Sequence, residues 1–303
     1  MMVKKTTVLL LAVSLVLSAC GQNDIKESPK TANENKVTPN TPSEDNLSTN
    51  EEGSPPTDAP SSSDEKTDDK PNNQDDSRKD EPKEPSTQAP VQPQYHMNKV
   101  YNIVPNEEST QKKIVLLTFD DGPKDESMIN GLIDTLDKHK AKAIFFVNGY
   151  RVKQNPDLLK LIHDRGQIIG NHSWDHIDLK KESQQEVKKQ IEDVQKIVMD
   201  TIGEKPKFFR PPFGSGGEQV KNIAKDNNLL FMTWSNGSLD WDSKSKNNPE
   251  AVINNVIEQL HPGSNILMHE LPWTVEALDT LLTKLEKKGY GFVDPLDIEP
   301  TIR

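Results

Sequence analysis

Hydrophobic and polar positions divide the chain into three stretches. In the first, residues 1–20, Lys4 and Lys5 precede an apolar run from Val8 to Leu17 that ends Leu17-Ser18-Ala19-Cys20. That is the pattern of an export signal; a spanning helix needs about 20 apolar residues. The second, residues 21–94, is built from Asp, Glu, Lys, Asn, Ser, Thr and Pro, with almost no large apolar side chain and no repeated period. It cannot bury enough apolar surface to offset the entropy of ordering, so a disordered linker is expected. As flexible coil, roughly 70 such residues reach on the order of 45 Å. In the third, from Lys112 onward, short apolar β-rich runs alternate with amphipathic stretches of helical period, the signature of a βα repeat.

Strands are predicted at 114–119, 143–147, 167–170, 207–210, 230–234, 265–269 and 291–293. Helices fill the gaps. Met128, Ile129, Leu132, Ile133 and Leu136 share one helical face, and Asn155-Pro156 and Asn248-Pro249 read as cap followed by first-turn Pro. Ser183 with Glu186 reads as a capping box for a helix that turns Val187, Ile191, Val194 and Val198 inward. The last helix opens at Trp273-Thr274 and stops at Gly289. About seven parallel strands in roughly 190 residues predict an α/β fold, one domain over residues 95–303 shaped as a distorted (β/α) barrel. An open doubly wound sheet is the alternative.

Charge and cysteine usage narrow the surroundings. A net charge of −11 argues against nucleic acid as partner and against peripheral docking on anionic lipid, whereas a neutral glycan needs no basic patch. Cys20 is the only cysteine, so no intrachain disulfide is available. The ending of the export signal resembles a bacterial lipoprotein box. It implies that Cys20 is lipidated, becomes the mature N-terminus and anchors the protein at the extracellular face of the cell membrane; a plain secretory cleavage site is the alternative.

The candidate chemistry lies in five short motifs: Thr118-Phe119-Asp120-Asp121-Gly122, His172-Ser173-Trp174-Asp175-His176, Arg210-Pro211-Pro212-Phe213-Gly214, Leu239-Asp240-Trp241 and Ile266-Leu267-Met268-His269. Each falls at or just after the C-terminal end of a predicted strand, the face where βα barrels assemble their sites. His172 and His176 are four apart, so on one helical turn both imidazoles project to the same side and can share a metal, with Asp121 as a third ligand. A His that caps a turn or bonds within the core is the plainer reading of an isolated pair. Ser173 stands where thermolysin-like proteases carry Glu, which argues against that class. Asp120 and Asp121 are neighbours on a strand end, so their side chains are expected to point in opposite senses and take different jobs. A lone Asp-Asp-Gly would read as a turn. His96, His139, His163 and His261 have no motif around them and read as surface residues, with His261 near a helix C-terminus.

In order and composition the five motifs resemble the polysaccharide deacetylase family, the NodB-homology carbohydrate esterases that remove N- or O-acetyl groups from cell-wall and related glycans. The resemblance covers roughly residues 112–297. It implies a barrel with one divalent metal held by Asp121, His172 and His176, zinc first, with cobalt, manganese, nickel and Fe(II) also suited to that ligand set. It implies Asp120 as general base, oriented by Arg210, and His269 as general acid, tuned by Asp240. It also implies that the Phe213 backbone N–H faces the developing oxyanion, and that Trp241 and Leu267 form an apolar clip around the acetyl methyl. Relatives often carry Tyr at the Phe213 position, and Phe serves a backbone role equally. One departure is Gly237, where relatives often have an Asp that supports the motif Asp.

The implied substrate is an N-acetylated polysaccharide, peptidoglycan N-acetylglucosamine first, with chitin-type oligomers, exopolysaccharide and O-acetylated xylan as alternatives. A monomer is expected. Two other classes compete: a non-catalytic wall-binding lipoprotein with a vestigial site, and an amidase of small cyclic amides, which the export signal disfavours.

Overall fold

The computed structural model describes residues 92–303. The export signal, Cys20 and the linker as far as residue 91 lie outside the described residues. The chain enters through β1 (Tyr95–Met97) and β2 (Ile103–Pro105), then runs β3 (Ile114–Gly122), α1 (Glu126–Lys138), β4 (Ala143–Val147), α2 (Gly149–Gln154), α3 (Pro156–Asp164) and β5 (Ile168–Asn171). It continues through α4 (Gln184–Ile202), β6 (Phe208–Phe209), α5 (Glu218–Asp226), β7 (Leu230–Phe231), β8 (Asn236–Gly237) and α6 (Pro249–Glu258). It closes with β9 (Ser264–His269), α7 (Pro272–Lys287), β10 (Gly291–Phe292) and β11 (Ile298–Ile302).

Local sequence sets the helix ends. The side chains of Asp125, Ser183 and Asn248 accept from the backbone N–H of Met128, Glu186 and Ala251 at 2.9, 3.2 and 3.2 Å, removing one orphan donor from each of α1, α4 and α6. Gly203 ends α4 at φ 79°, a conformation that costs glycine little. Among the described residues no helix is long and apolar enough to cross a membrane.

The main sheet runs β7-β6-β5-β4-β3-β9-β8, with β10 pairing the first residues of β3. All of its ladders are parallel. That order is sequence order from β3 to β9 bent round on itself, with the seam between β7 and β8. A doubly wound sheet would reverse direction at a switch point; this one never does. It is the distorted (β/α) barrel predicted from the alternation.

Period-2 alternation sorts the strands into two cores. Val115, Leu117, Phe119, Ala143, Phe145 and Val147 face outward into the helix layer with Ile129, Leu132, Leu278 and Leu282. Their neighbours Ile114, Leu116, Ile144 and Phe146 face the barrel interior with Phe208, Leu230, Met232 and Val293. The interior core also takes Tyr95, Met97, Ile103 and Ile298 from the three-stranded β11-β1-β2 sheet. Apolar packing thus fills the end of the barrel where the strands begin and leaves the end where they finish to polar residues.

The structure departs from the expected elements in identifiable places. β1, β2, β8 and β11 are additional, being short strands or, in β11, one interrupted by Pro300. The strand expected over 230–234 stops at Phe231, because the Thr233 carbonyl turns inward to Arg210. His139 is not a surface residue. Its side chain is only 6% exposed and lies between Asp279 at 2.8 Å and Glu286 at 3.1 Å, since the end of α1 packs on α7.

Gly263 marks a close approach beneath β9. Its N–H donates to Ile114 O and its carbonyl accepts from Ile103 N–H, at 2.8 and 2.9 Å. Its φ is +79°, and an added Cβ would lie 2.2 Å from the Ile103 carbonyl oxygen. Gly263→Ala is therefore expected to lower unfolding free energy by more than about 2 kcal/mol in urea titrations. A near-neutral result would show that β2 can move away freely.

Candidate active site

The first two motifs build the centre of the site. Asp120 and Asp121 end β3, but Asp121 has φ 67°, and the β3–β4 register slips between Phe119 and Gly122. This kink defeats the strand alternation that would have set the two carboxylates on opposite sides. Both approach the same imidazole: His172 Nε2 lies 3.7 Å from Asp120 Oδ2 and 3.4 Å from Asp121 Oδ1. His176 Nε2 lies 3.1 Å from Asp121 Oδ1. The histidines share a side, though not through the helical turn expected. Residues 172–178 form no helix, and Ser173 and His176 take φ of 65° and 56°. The loop is tied down by Asn171, whose side chain accepts from Ser173 N–H at 3.0 Å, and by Gln190, which accepts from Asp175 N–H at 2.8 Å.

These residues fit a divalent cation. His172 Nδ1 is 2.7 Å from the Arg210 carbonyl, which can only accept. Nδ1 therefore carries the proton, and the Nε2 lone pair of the neutral ring faces Asp121. Asp121 Oδ1 is buried and makes no hydrogen bond, yet one ligand atom each from Asp121, His172 and His176 lies within 4.8 Å of the others. Lone pairs converging at that separation want a shared cation, and an N₂O set leaves coordination positions open. Burial alone would raise the Asp121 carboxyl; His172 and His176, when they carry a proton on Nε2 as well, outweigh it and hold it far below the usual carboxylate range.

Arg210 sits beneath this centre, completely buried. Its guanidinium donates to Asp120 Oδ1 at 2.7 Å, Thr118 Oγ1 at 2.8 Å, the Thr233 carbonyl at 2.9 Å and Asn265 Oδ1 at 3.2 Å. It also stacks 4.4 Å from the Phe146 ring centroid. Burial lowers its pKa and the charge of Asp120 opposes that shift.

His269 is the register partner of Asp120 on β9. Its Nδ1 lies 2.7 Å from Asp240 Oδ1, and its backbone N–H donates to Asp240 Oδ2 at 2.7 Å. Thr274 Oγ1 donates to the same Oδ2 at 2.7 Å, and Trp273 Nε1 to the Asp240 carbonyl at 2.8 Å. Burial works against a charged His269, but the Asp240 carboxylate outweighs it and raises the imidazole above its ordinary value. Gly237 does not leave this pair unsupported, because Thr274 and the His269 backbone hold Asp240. Gly237 itself is fixed by Gln259, which bonds its N–H at 3.2 Å and its carbonyl at 2.8 Å.

The rim is apolar and open. Phe213, at φ 60° and 66% exposed, stands edge-on to His176 at 4.7 Å between ring centroids. Its turn is closed by Gly214 N–H to Pro211 O and Ser215 N–H to Pro212 O, bonds that do not engage the Phe213 N–H. Trp241, 46% exposed, meets His269 edge-on at 5.3 Å. Leu267 is buried in β9, two residues before His269 and on the same face of that strand.

Motif reading missed Thr118 as a partner of Arg210, along with Asn265, Thr274 and Glu270. Asn265 had one available signal, a polar residue inside an apolar strand. Glu270 is buried, and burial pushes its carboxyl up to about 7 against the lowering effects of the Lys124 N–H and the Lys124 and Arg151 charges.

The family profile described as polysaccharide deacetylase matches residues 107–232. The peptidoglycan-N-acetylglucosamine deacetylase PgdA of Listeria monocytogenes is 44% identical over 185 residues, covering 61% of this chain and 38% of the relative, so the chain spans well under half the length of that protein. The peptidoglycan-N-acetylmuramic acid deacetylase PdaA of Bacillus subtilis is 33% identical over 199 residues, covering 64% of this chain and 75% of the relative. Among solved structures, BA3943 of Bacillus anthracis, described as a CE4 family pseudoenzyme, superposes with a TM-score of 0.57 at 34% identity, covering 60% of this chain and 63% of that one. Shared sequence over most of a relative's length, on a common barrel, decides the lineage: the chain belongs to the polysaccharide deacetylase family.

Proposed function

We propose that this chain is a metal-dependent hydrolase that removes N-acetyl groups from cell-wall polysaccharide, peptidoglycan N-acetylglucosamine in the first instance. One observation carries the reading. Two proton-transfer groups, each with its own support, sit at register-matched positions of β3 and β9 beside the Asp121, His172 and His176 triad: Asp120 on Arg210 and His269 on Asp240, each pair 2.7 Å apart. Asp121, His172 and His176 would hold a divalent ion, Zn²⁺ first, with Co²⁺, Mn²⁺, Ni²⁺ and Fe²⁺ as alternatives, which would supply an acidified water and polarise the acetamide carbonyl.

Asp120 takes a proton from the attacking water. The Phe213 N–H faces the oxygen on which negative charge develops. His269 gives the Nε2 proton to the departing nitrogen as the C–N bond breaks, leaving acetate and a free amine. Trp241 and Leu267 bracket the acetyl methyl. The likeness to PgdA, a peptidoglycan-N-acetylglucosamine deacetylase, favours glucosamine, and the likeness to PdaA makes muramic acid the alternative. In this proposal the enzyme is a monomer, anchored through lipid on Cys20 at the outer face of the membrane, with residues 21–94 as its tether.

The likeness to a pseudoenzyme favours a second reading, a wall-binding lipoprotein with a retired site. The supported acid and base weigh against it. Acetate release from peptidoglycan and N-acetylglucosamine oligomers by the full chain, metal-stripped and then resupplied with each ion, separates the two. Release should return with metal and fall at least about 10²-fold in Asp120→Asn; metal uptake without release moves the assignment to the binding protein.

Raising of His269 by Asp240 also gives a pH signature. The pair's contribution to stability is fully present below the unfolded histidine value of about 6.5 and is lost as pH rises through the raised folded value. In metal-free protein, the stability gap between wild type and Asp240→Asn should therefore narrow from pH 6 to pH 9 in denaturant titrations. In the metal-loaded enzyme, the alkaline limb of the rate profile should move to lower pH in that variant. The anchor is checked by metabolic labelling with radioactive palmitate, which Cys20→Ala should abolish.

A further inference from the structure

Glu270 is a buried carboxyl that the proposed reaction does not use. It follows His269 directly and reaches across to the loop that leaves Asp121. Its Oε2 accepts from the Lys124 backbone N–H at 2.9 Å. Its Oε1 is buried without a hydrogen-bond partner and lies so close to Gly122 that a Cβ added there would be 1.9 Å away. On its other side the same loop is held by Asn148, whose N–H donates to the Gly122 carbonyl at 2.9 Å. Lys124 and Arg151 are the cations facing Glu270, and Asp121 is the acid facing it.

A buried carboxyl is costly unless bonded. An apolar side chain of similar size would pack there without that cost, but it could not bond the Lys124 N–H. The φ of Gly122 is not positive, so no left-handed backbone requires glycine there. The space for its missing Cβ is taken by the Glu270 carboxyl. The two residues therefore fit each other as a pair.

We propose that Glu270 is a positioning residue, a strap from the end of β9 to the Gly122–Lys124 loop that fixes Asp121 relative to the other proposed metal ligands and to His269. The inference rests on the metal-hydrolase reading above. Outer residues that orient a metal ligand are typically worth 10- to 100-fold in metal affinity or activity. Glu270 acts on Asp121 through two intervening loop residues, Gly122 and Pro123, so its effect belongs at the lower end of that range.

The test is Zn²⁺ affinity, by competition with a chromophoric chelator, and kcat and KM for acetate release, on the full chain. Wild type is compared with Glu270→Ala, Glu270→Gln, Gly122→Ala and the Gly122→Ala/Glu270→Ala double variant. Glu270→Ala and Gly122→Ala should each weaken Zn²⁺ binding about 10-fold and lower kcat similarly, with KM unchanged. Glu270→Gln, whose amide oxygen still accepts from Lys124 N–H, should stay within about 3-fold of wild type. Because the three atoms nearest the added methyl all belong to the Glu270 carboxyl, Gly122→Ala should cost nothing further in the Glu270→Ala background.

If Glu270→Ala does not fold, Gly122→Ala against Glu270→Gln carries the same comparison. Wild-type affinity and kcat in Glu270→Ala, or full additivity in the double variant, overturns the strap. Wild-type protein that takes up no Zn²⁺ overturns the metal reading itself, so the two failures are distinguishable.

Discussion

A guanidinium with no exposure at the centre of a barrel is the constraint around which this structure is arranged. An unpaired charge in that position would cost several kcal/mol, so every face of Arg210 is met. Asp120 and Thr118 come from β3, Asn265 from β9, the Thr233 carbonyl from beyond β7, and the Phe146 ring from β4. Its own carbonyl fixes the tautomer of His172. The side chain thus draws together strands on both sides of the β7–β8 seam. The same residue orients the proposed base and one proposed metal ligand.

The layers of the interior follow from that charge. Below Arg210 the alternate residues of each strand are apolar and pack on the β11-β1-β2 sheet. Above it the same inward positions become Asp120, His172 and His269. A polar constellation can sit on an apolar plug only because Thr118, Arg210 and Asn265 form a hydrogen-bonded layer between them. Buried polar groups of this kind are tolerated when fully satisfied and are destabilising when partly so.

The two proposed proton carriers sit side by side in different company. Asp120 faces a fixed cation, while His269 faces a carboxylate that accepts from the His269 backbone and from Thr274 as well. Against the cost of burial, the Asp240 carboxylate favours the charged form of the His269 imidazole. Thr274 holds Asp240 and Gln259 holds the Gly237 backbone, where the sequence alone suggested a weakened support.

By itself the sequence determined the parallel βα alternation, the helix caps at Ser183 and Asn248, the face on which the motifs gather, and the residue types of the site. These are local properties: period, cap chemistry and motif order are written in neighbouring residues. Only the tertiary structure decided that His172 and His176 meet through a left-handed loop in place of a helical turn, that Asp120 and Asp121 reach the same imidazole, and that His139 is a clamp between helices. It alone brought in Asn265, Thr274 and Glu270, which lie on other elements from the groups they hold. Such partnerships depend on where strands and loops meet in space, and a side chain whose partner is 30 or 150 residues away carries no local pattern to reveal it.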